Sequence, residues 1–236
     1  KTAYEIYQCV WSSDVCSSDL GANLGQAIAS ALVGRTGRDA APDRAVFEVD
    51  EAALPALIDQ VEPAVLVRTN LFSDQLDRCG ETDRIVRSWR DMLARHPRVP
   101  VVFCADDPRL AALLAGRSGT IGYGFAQRPA SGTSGSAVTT DVAACPACGA
   151  TLATAWVSIG HLGDYACAAC GFARPPLDVA VAVTKERGLA GQVLAFGLAD
   201  GRTLRATVPL IGAANAYNAA AALAAAMVLR SEEHTS

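Results

Sequence analysis

Four cysteines carry the clearest chemistry in the sequence. Cys145-Pro-Ala-Cys148-Gly149 and Cys167-Ala-Ala-Cys170-Gly171 are two pairs, each with two residues between the thiols, and 18 residues separate the pairs. That is the spacing of a four-cysteine zinc ribbon. A two-residue gap lets both thiolates of a pair face one ion from a tight turn, and Gly149 and Gly171 supply permissive backbone after each turn. Two such turns complete a tetrahedron with no open position, so the Zn²⁺ expected here is structural and not catalytic. Two redox Cys-x-x-Cys pairs or two disulfides would use the same residues; paired knuckles at this separation favour the metal. His161 is superfluous beside four thiolates and reads as structural. Cys79 and Cys104 lack a nearby histidine and read as packing residues.

A second set of candidates is acidic or amide: Glu48, Asp50 and Glu51; then Thr69, Asn70 and Asp74; then Asp106 and Asp107. Each group follows a short apolar run read as a strand, at 45–49, 64–67 and 99–103. Between the strands, 52–61 carries Leu54, Leu57, Ile58 and Val61 at helical spacing. Residues 81–95 line Ile85, Val86, Trp89, Met92 and Leu93 along one face, and 109–115 is a short helix. Strand and helix in alternation imply right-handed crossovers and a parallel sheet. Ligands of such sheets bind beyond the carboxyl ends of the strands. The three groups are therefore expected on one rim, where hard oxygen ligands could hold Mg²⁺ and its phosphates. The competing reading makes these acids caps for the helices that follow.

The remaining segments place these sites. Residues 21–33 read as a glycine-bearing loop entering a short helix, and 35–43 as a polar loop. Residues 71–78 are polar and turn-rich, and 127–141, rich in Ser, Thr and Gly, form a linker into the ribbon. Beyond the ribbon, 179–183, 191–198 and 204–208 are strand-like. Ala199-Asp200-Gly201-Arg202 is a hairpin turn signal, so a small antiparallel sheet is expected. Residues 214–229 form an alanine helix with Asn215 and Asn218 in its first turns, where asparagines most often cap. The fold class is thus α/β: a mostly parallel sheet with flanking helices, an inserted four-cysteine zinc ribbon and a small antiparallel sheet.

With 236 residues, 51% of them hydrophobic and 19% charged, the chain suits one large or two small domains with a sizeable core. A net charge of −4, and Arg174 as the only arginine or lysine in 142–175, give no support to a nucleic-acid partner. The apolar stretch 219–229 is too short and alanine-rich to span a bilayer, so no transmembrane segment is expected. Without a signal peptide, a reducing cytoplasm is expected, where cysteine pairs favour metal over disulfide. The two ends look foreign. Codons can be chosen for 230–236 whose reverse complement, shifted by one base, reads Asp-Val-Cys-Ser-Ser-Asp-Leu, which is 14–20. Both segments resemble translated sequencing adapter, so 1–20 and 230–236 are set aside from fold reasoning.

Three patterns together are similar to one family. Phe47-Glu48-Val49-Asp50-Glu51, Thr69-Asn70-Leu71-Phe72-Ser73-Asp74-Gln75-Leu76-Asp77-Arg78 and Asn215-Ala-Tyr-Asn218-Ala resemble the central ATPase domain of Mur ligases. The inserted ribbon, with Gly160-His161-Leu162-Gly163-Asp164-Tyr165 before its second knuckle, resembles the branch that forms the ligase-like subunit of lipid II isoglutaminyl synthase. The resemblance covers nearly all of 21–229. It divides the chain into a first part of the central domain at 21–141, the ribbon at 142–175 and a second part at 176–229.

The resemblance implies ATP-dependent amidation in peptidoglycan precursor synthesis. The α-carboxyl of the D-glutamate in lipid II would be activated as an acyl phosphate. Ammonia from a glutamine amidotransferase subunit (GatD-like, in a heterodimer) would then displace phosphate to give D-isoglutamine. Phosphorylation turns a poor electrophile into one with a good leaving group, and Mg²⁺ offsets the developing charge. By the same resemblance Glu48 is a magnesium ligand, and Gln75 stands where many Mur ligases place a metal-binding histidine. Asn215, with Asn218 second, contacts the nucleotide. The chain departs from the family at Cys104, which replaces an asparagine, and at Ala214, which replaces an aromatic residue or histidine. No Gly-x-x-x-x-Gly-Lys-[Ser/Thr] run is present. The family's phosphate loop is expected before Gly21, and the carboxy-terminal domain, with the catalytic aspartate and partner surface, after Leu229. A fragment inactive alone is therefore expected, from an intact carbon–nitrogen ligase, with no catalytic residue inside it. A folylpolyglutamate-type or amino-acid-adding ligase, or a non-catalytic zinc-ribbon interaction module, are the competing readings.

Overall fold

The structure, a computed structural model, describes residues 15–17, 44–72, 81–134 and 142–233. It comprises two compact units, Lys1–Glu62 and Pro63–Ser236. The expected helix within 21–33, the loop at 35–43 and Gln75 lie outside the described residues.

In the first unit, β1 (Val15–Ser17) pairs in parallel with β2 (Arg44–Val46). β1 falls inside the segment set aside as adapter, and β2 is shorter than the expected strand. Asp50 then turns the chain. Its carboxylate accepts from the N–H groups of Ala52 (2.9 Å) and Ala53 (3.3 Å), and its carbonyl accepts from Ala53 and Leu54. Asp50 thus closes the turn ahead of the next helix, whose N-cap, Ala53, receives no side-chain cap. Helix α1 (Leu54–Ile58) follows with Leu54 and Ile58 buried. It is shorter than expected because the N–H groups of Gln60 and Val61 both close back on the Leu57 carbonyl, which ends the helix in a tight turn.

The second unit is built on six strands in the order β11-β10-β9-β5-β4-β3. β3 (Leu66–Arg68), β4 (Val101–Cys104), β5 (Thr120–Phe125) and β9 (Val179–Glu186) run parallel. β10 (Gln192–Leu198) and β11 (Thr203–Val208) continue the same sheet antiparallel, closed by the Ala199–Arg202 turn. The antiparallel strands foreseen from the sequence are thus an extension of the parallel sheet and not a separate one. β5, absent from the expected strands, lies between β4 and β9.

Helix α2 (Glu81–Arg95) has the bounds its periodicity predicts, with Trp89, Met92 and Leu93 buried. Its far end is held by Arg117, whose guanidinium donates to the carbonyls of Leu93 (2.9 Å), His96 (2.8 Å) and Val99 (2.9 Å). The Leu93 carbonyl, in the last turn, would otherwise lack an intrahelical partner. Helix α3 (Pro108–Leu114) starts at Asp107, whose side chain accepts from the N–H groups of Arg109 and Leu110. Helix α4 (Ala213–Glu233) packs on β4, β5 and β9. It buries Ala213, Ala216, Tyr217, Ala220, Ala221, Ala224 and Val228 at three- and four-residue spacing.

Between the adjacent parallel strands β5 and β9 the chain leaves the sheet. The excursion forms a second, three-stranded antiparallel sheet from β6 (Thr133–Ser134), β7 (Ala153–Ile159) and β8 (Leu162–Ala166), together with both cysteine turns. β6 lies in the stretch expected to be linker.

Gly124 on β5 sits under this junction: a Cβ there would lie 2.1 Å from Asp106 Oδ1. Gly124→Ala is expected to destabilise the protein by about 2–3 kcal/mol, as overpacking of a filled site does. Gly197→Ala on β10, where a Cβ meets nothing within 4 Å, should change stability by less than about 1 kcal/mol. Urea denaturation of both variants checks the pair of values.

Candidate functional site

The two cysteine turns are built alike. In the first, Cys145 N–H donates to the Ala150 carbonyl (2.7 Å) and Gly149 N–H to the Cys145 carbonyl (2.8 Å). In the second, Cys167 N–H donates to Phe172 (2.7 Å) and Gly171 N–H to Cys167 (3.0 Å). Gly149 and Gly171 take φ values of 77° and 76°, a left-handed conformation that glycine adopts without strain. The turns face each other. Sγ of Cys145 lies 3.7 Å from that of Cys170, and Sγ of Cys148 lies 3.6 Å from that of Cys167. All four sulfurs lie within 4.8 Å of one another. A tetrahedron built on Zn–S bonds of about 2.3 Å has edges of about 3.8 Å. The four thiols therefore fit one zinc ion and leave no ligand position for substrate. The backbone N–H of Cys170 draws Cys167 down to about 7. Cys170 gains from the N–H of Phe172 but is pushed up to about 12 by its sulfur neighbours, Cys148 first.

Below the ribbon a carboxylate is buried. Asp106, just past β4, is fully enclosed. Arg174, four residues after Cys170, donates from Nε to its Oδ1 (2.7 Å) and from Nη2 to the Phe125 carbonyl, and Nη2 lies 2.7 Å from the same Oδ1 as an ion pair. Its Oδ2 accepts from the Tyr217 hydroxyl (2.6 Å) and the Phe125 N–H (3.0 Å). Ser158 of β7 lies 2.6 Å from the Tyr217 oxygen. The Asp106 carbonyl accepts from Gly163 N–H (2.9 Å), and the neighbouring Ala105 carbonyl from the Tyr165 hydroxyl (3.0 Å). Burial raises the Asp106 carboxyl above its usual range, opposed chiefly by Arg174. Burial likewise raises the Tyr217 hydroxyl, with the Asp106 charge adding to it.

These contacts correct the reading of Asp106 and Asp107 as part of a magnesium rim. Asp107 is also fully buried, and its carboxylate caps α3 and accepts from Leu71 N–H (2.7 Å). His161 Nε2 lies 3.1 Å from Asp107 Oδ2, outside hydrogen-bonding geometry, and its ring meets Phe72 edge-on at 5.0 Å. It belongs to the core beside Asp107 and not to the sulfur cluster. The Thr69 carbonyl accepts from Tyr123 (3.3 Å) at the end of β3. Glu48 lies in the first unit, exposed in the irregular segment after β2. Asn215 and Asn218 lie in the second unit, half-buried in the first turns of α4. Asn215 does not cap: its amide nitrogen donates backwards to the Ile211 carbonyl (2.8 Å). The residues that sequence reading missed are Arg174, Tyr217 and Ser158. The available signal was a lone arginine in an otherwise uncharged stretch after the last cysteine.

No family model matches the chain. Over 216 residues the chain is 30% identical to the lipid II isoglutaminyl synthase (glutamine-hydrolyzing) subunit MurT of Streptococcus pneumoniae strain R6, covering 91% of this chain and 46% of that protein. Over 156 residues it is 30% identical to MurT of Staphylococcus aureus strain COL, covering 65% of this chain and 34% of that one. The chain is a MurT relative. It spans less than half the length of these proteins. The fold is also similar to a pseudomurein peptide ligase type C from Methanothermus fervidus, with a TM-score of 0.61 and 26% identity over 79% of this chain and 36% of that one. The MurT-like chain thus has a Mur ligase-like α/β fold with a four-cysteine cluster.

The purified chain is expected to hold one zinc ion per molecule by elemental analysis. Cobalt substitution should give the strong visible bands of tetrahedral thiolate coordination. Cys148→Ser, at an exposed ligand, should lower zinc affinity at least about tenfold. Full zinc content in that variant would contradict a four-thiolate site.

Proposed function

We propose that the chain is part of an ATP-dependent carbon–nitrogen ligase of peptidoglycan synthesis. It would activate the D-glutamate α-carboxyl of lipid II as an acyl phosphate, for amidation to D-isoglutamine. Ammonia would come from a glutamine amidotransferase subunit of the GatD kind, with both subunits in the cytoplasm. The observation that carries this reading is the four-thiolate ribbon set between β5 and β9 of a Mur ligase-like sheet, in a chain 30% identical to MurT.

Within it, the cysteines hold zinc for structure alone. Glu48 supplies a carboxylate to Mg²⁺, with Gln75 a further candidate ligand, and Asn215 and Asn218 contact the nucleotide. When bound, Mg²⁺ neutralises charge on the transferring phosphoryl group. The chain's own part is to present the exposed Glu48 carboxylate and the two amides of α4, three residues apart on one helix face. The domain boundaries at 21–141, 142–175 and 176–229, with non-native segments at 1–20 and 230–236, belong to the same proposal.

The test uses the full-length gene product with its amidotransferase. ADP release should require both lipid II and glutamine, and mass spectrometry should find carboxyl converted to amide. Glu48→Gln should lower kcat by at least about 100-fold, as loss of a group stabilising transition-state charge does. Wild-type turnover in that variant would exclude Glu48, and amide formation without ATP would exclude the ligase. These 236 residues contain no phosphate-loop lysine motif, so the chain alone should bind MgATP weakly. Micromolar affinity by calorimetry would contradict the assignment of the phosphate loop to a segment outside them.

A further inference from the structure

We propose that the zinc ribbon is a positioning clamp for α4. Acting through Arg174 and Ser158 on Asp106 and Tyr217, it sets where that helix lies along the sheet. The proposal rests on the reading that Asn215 and Asn218 contact nucleotide, and it gives the ribbon a role in that site.

The buried face of α4 is nearly all alanine, and Tyr217 is the only aromatic residue in the helix. Alanine lets the helix approach closely but provides few knobs to resist sliding along its axis. The start of the helix is tied to β10 where Gln192 donates to the Gly212 carbonyl (3.1 Å), and within its first turns the one large buried side chain is Tyr217. Its ring meets Phe125 edge-on at 4.7 Å, and its hydroxyl is gripped from two sides, by Asp106 and by Ser158. Both grips depend on the ribbon. Ser158 is part of β7. Asp106 keeps its charge and orientation through Arg174, which follows the second cysteine turn and is held against β8 and β7 of the ribbon. Arg174 N–H donates to Tyr165 (3.0 Å), Ala173 bridges to Ala166, and the guanidinium lies 5.4 Å from the Trp156 ring. Tyr217 stands between Asn215 and Asn218 in sequence, so a shift of its hydroxyl moves both amides as one body.

The metal links to this path by cross-linking the second turn to the first. With zinc bound, Cys170 is fixed and Arg174 leaves the turn in one direction. Without it, the two turns are joined only through the short strands between them. The ribbon is too small to hold its shape by apolar burial alone.

Hydrogen–deuterium exchange on the full-length protein tests this directly. Removing zinc should speed exchange of the first turns of α4 roughly tenfold, the effect of losing one hydrogen bond to a charged group. Amides of α2 should stay unchanged. Tyr217→Phe, which keeps the ring, and Ser158→Ala should do the same with zinc retained. In the assembled ligase Tyr217→Phe should raise the KM for ATP several-fold with kcat nearly unchanged, a split that general destabilisation does not produce. Unchanged α4 exchange in the zinc-free protein and in Tyr217→Phe overturns the clamp. Faster α4 exchange with an unchanged KM upholds the clamp and removes the asparagines from the nucleotide site.

Discussion

A carboxylate removed entirely from water must be matched by charge and hydrogen bonds, or it will not stay ionised. Asp106 sits at the end of the fully buried strand β4. Its counter-charge arrives from the ribbon as Arg174, and its remaining oxygen is satisfied by Tyr217 of α4 and the backbone of β5. Three elements distant in sequence thus converge on one side chain. Removing any partner leaves a buried polar group exposed to apolar surroundings. That makes the cluster a strong constraint on how these elements dock.

Much local detail follows from that demand. β5 needs a residue without a Cβ beneath the ion pair, and Gly124 provides it. The loop after β4 cannot turn its acids outwards, so Asp107 becomes the cap of α3 and an acceptor for Leu71. The ribbon is too short to build an apolar core of its own, and a metal cross-link is the usual substitute at that size. The four cysteines come close enough to share one metal ion, and Asp106–Arg174 joins the ribbon to the sheet.

The parts of the fold that were readable from sequence are those set by short-range rules. The cysteine spacing identified the four-thiol cluster because both turns are local, and the amphipathic face of α2 located that helix to its ends. β5 was unreadable because Gly122 and Gly124 interrupt its apolar run, although the second is required by a contact with Asp106. The capping alternative holds for Asp107, whereas the role of Asp106 was misassigned for a related reason. Rim acids and buried acids look the same in sequence, and the partners that distinguish them lie 68 residues away at Arg174 and 111 away at Tyr217. Nor could pattern alone show that β9–β11 extend the first sheet, since that depends on β5 and β9 pairing across the whole insertion.

The central claim is that one buried ion pair joins ribbon to sheet, and a double-mutant cycle on Asp106→Asn and Arg174→Met measures it most directly. Followed by denaturant unfolding of the zinc-loaded protein, each single change should cost about 3–5 kcal/mol, because it strands a buried partner. The double variant should cost no more than the worse single one, giving a coupling of at least about 3 kcal/mol. Additive losses, with no coupling between the two positions, would contradict the account.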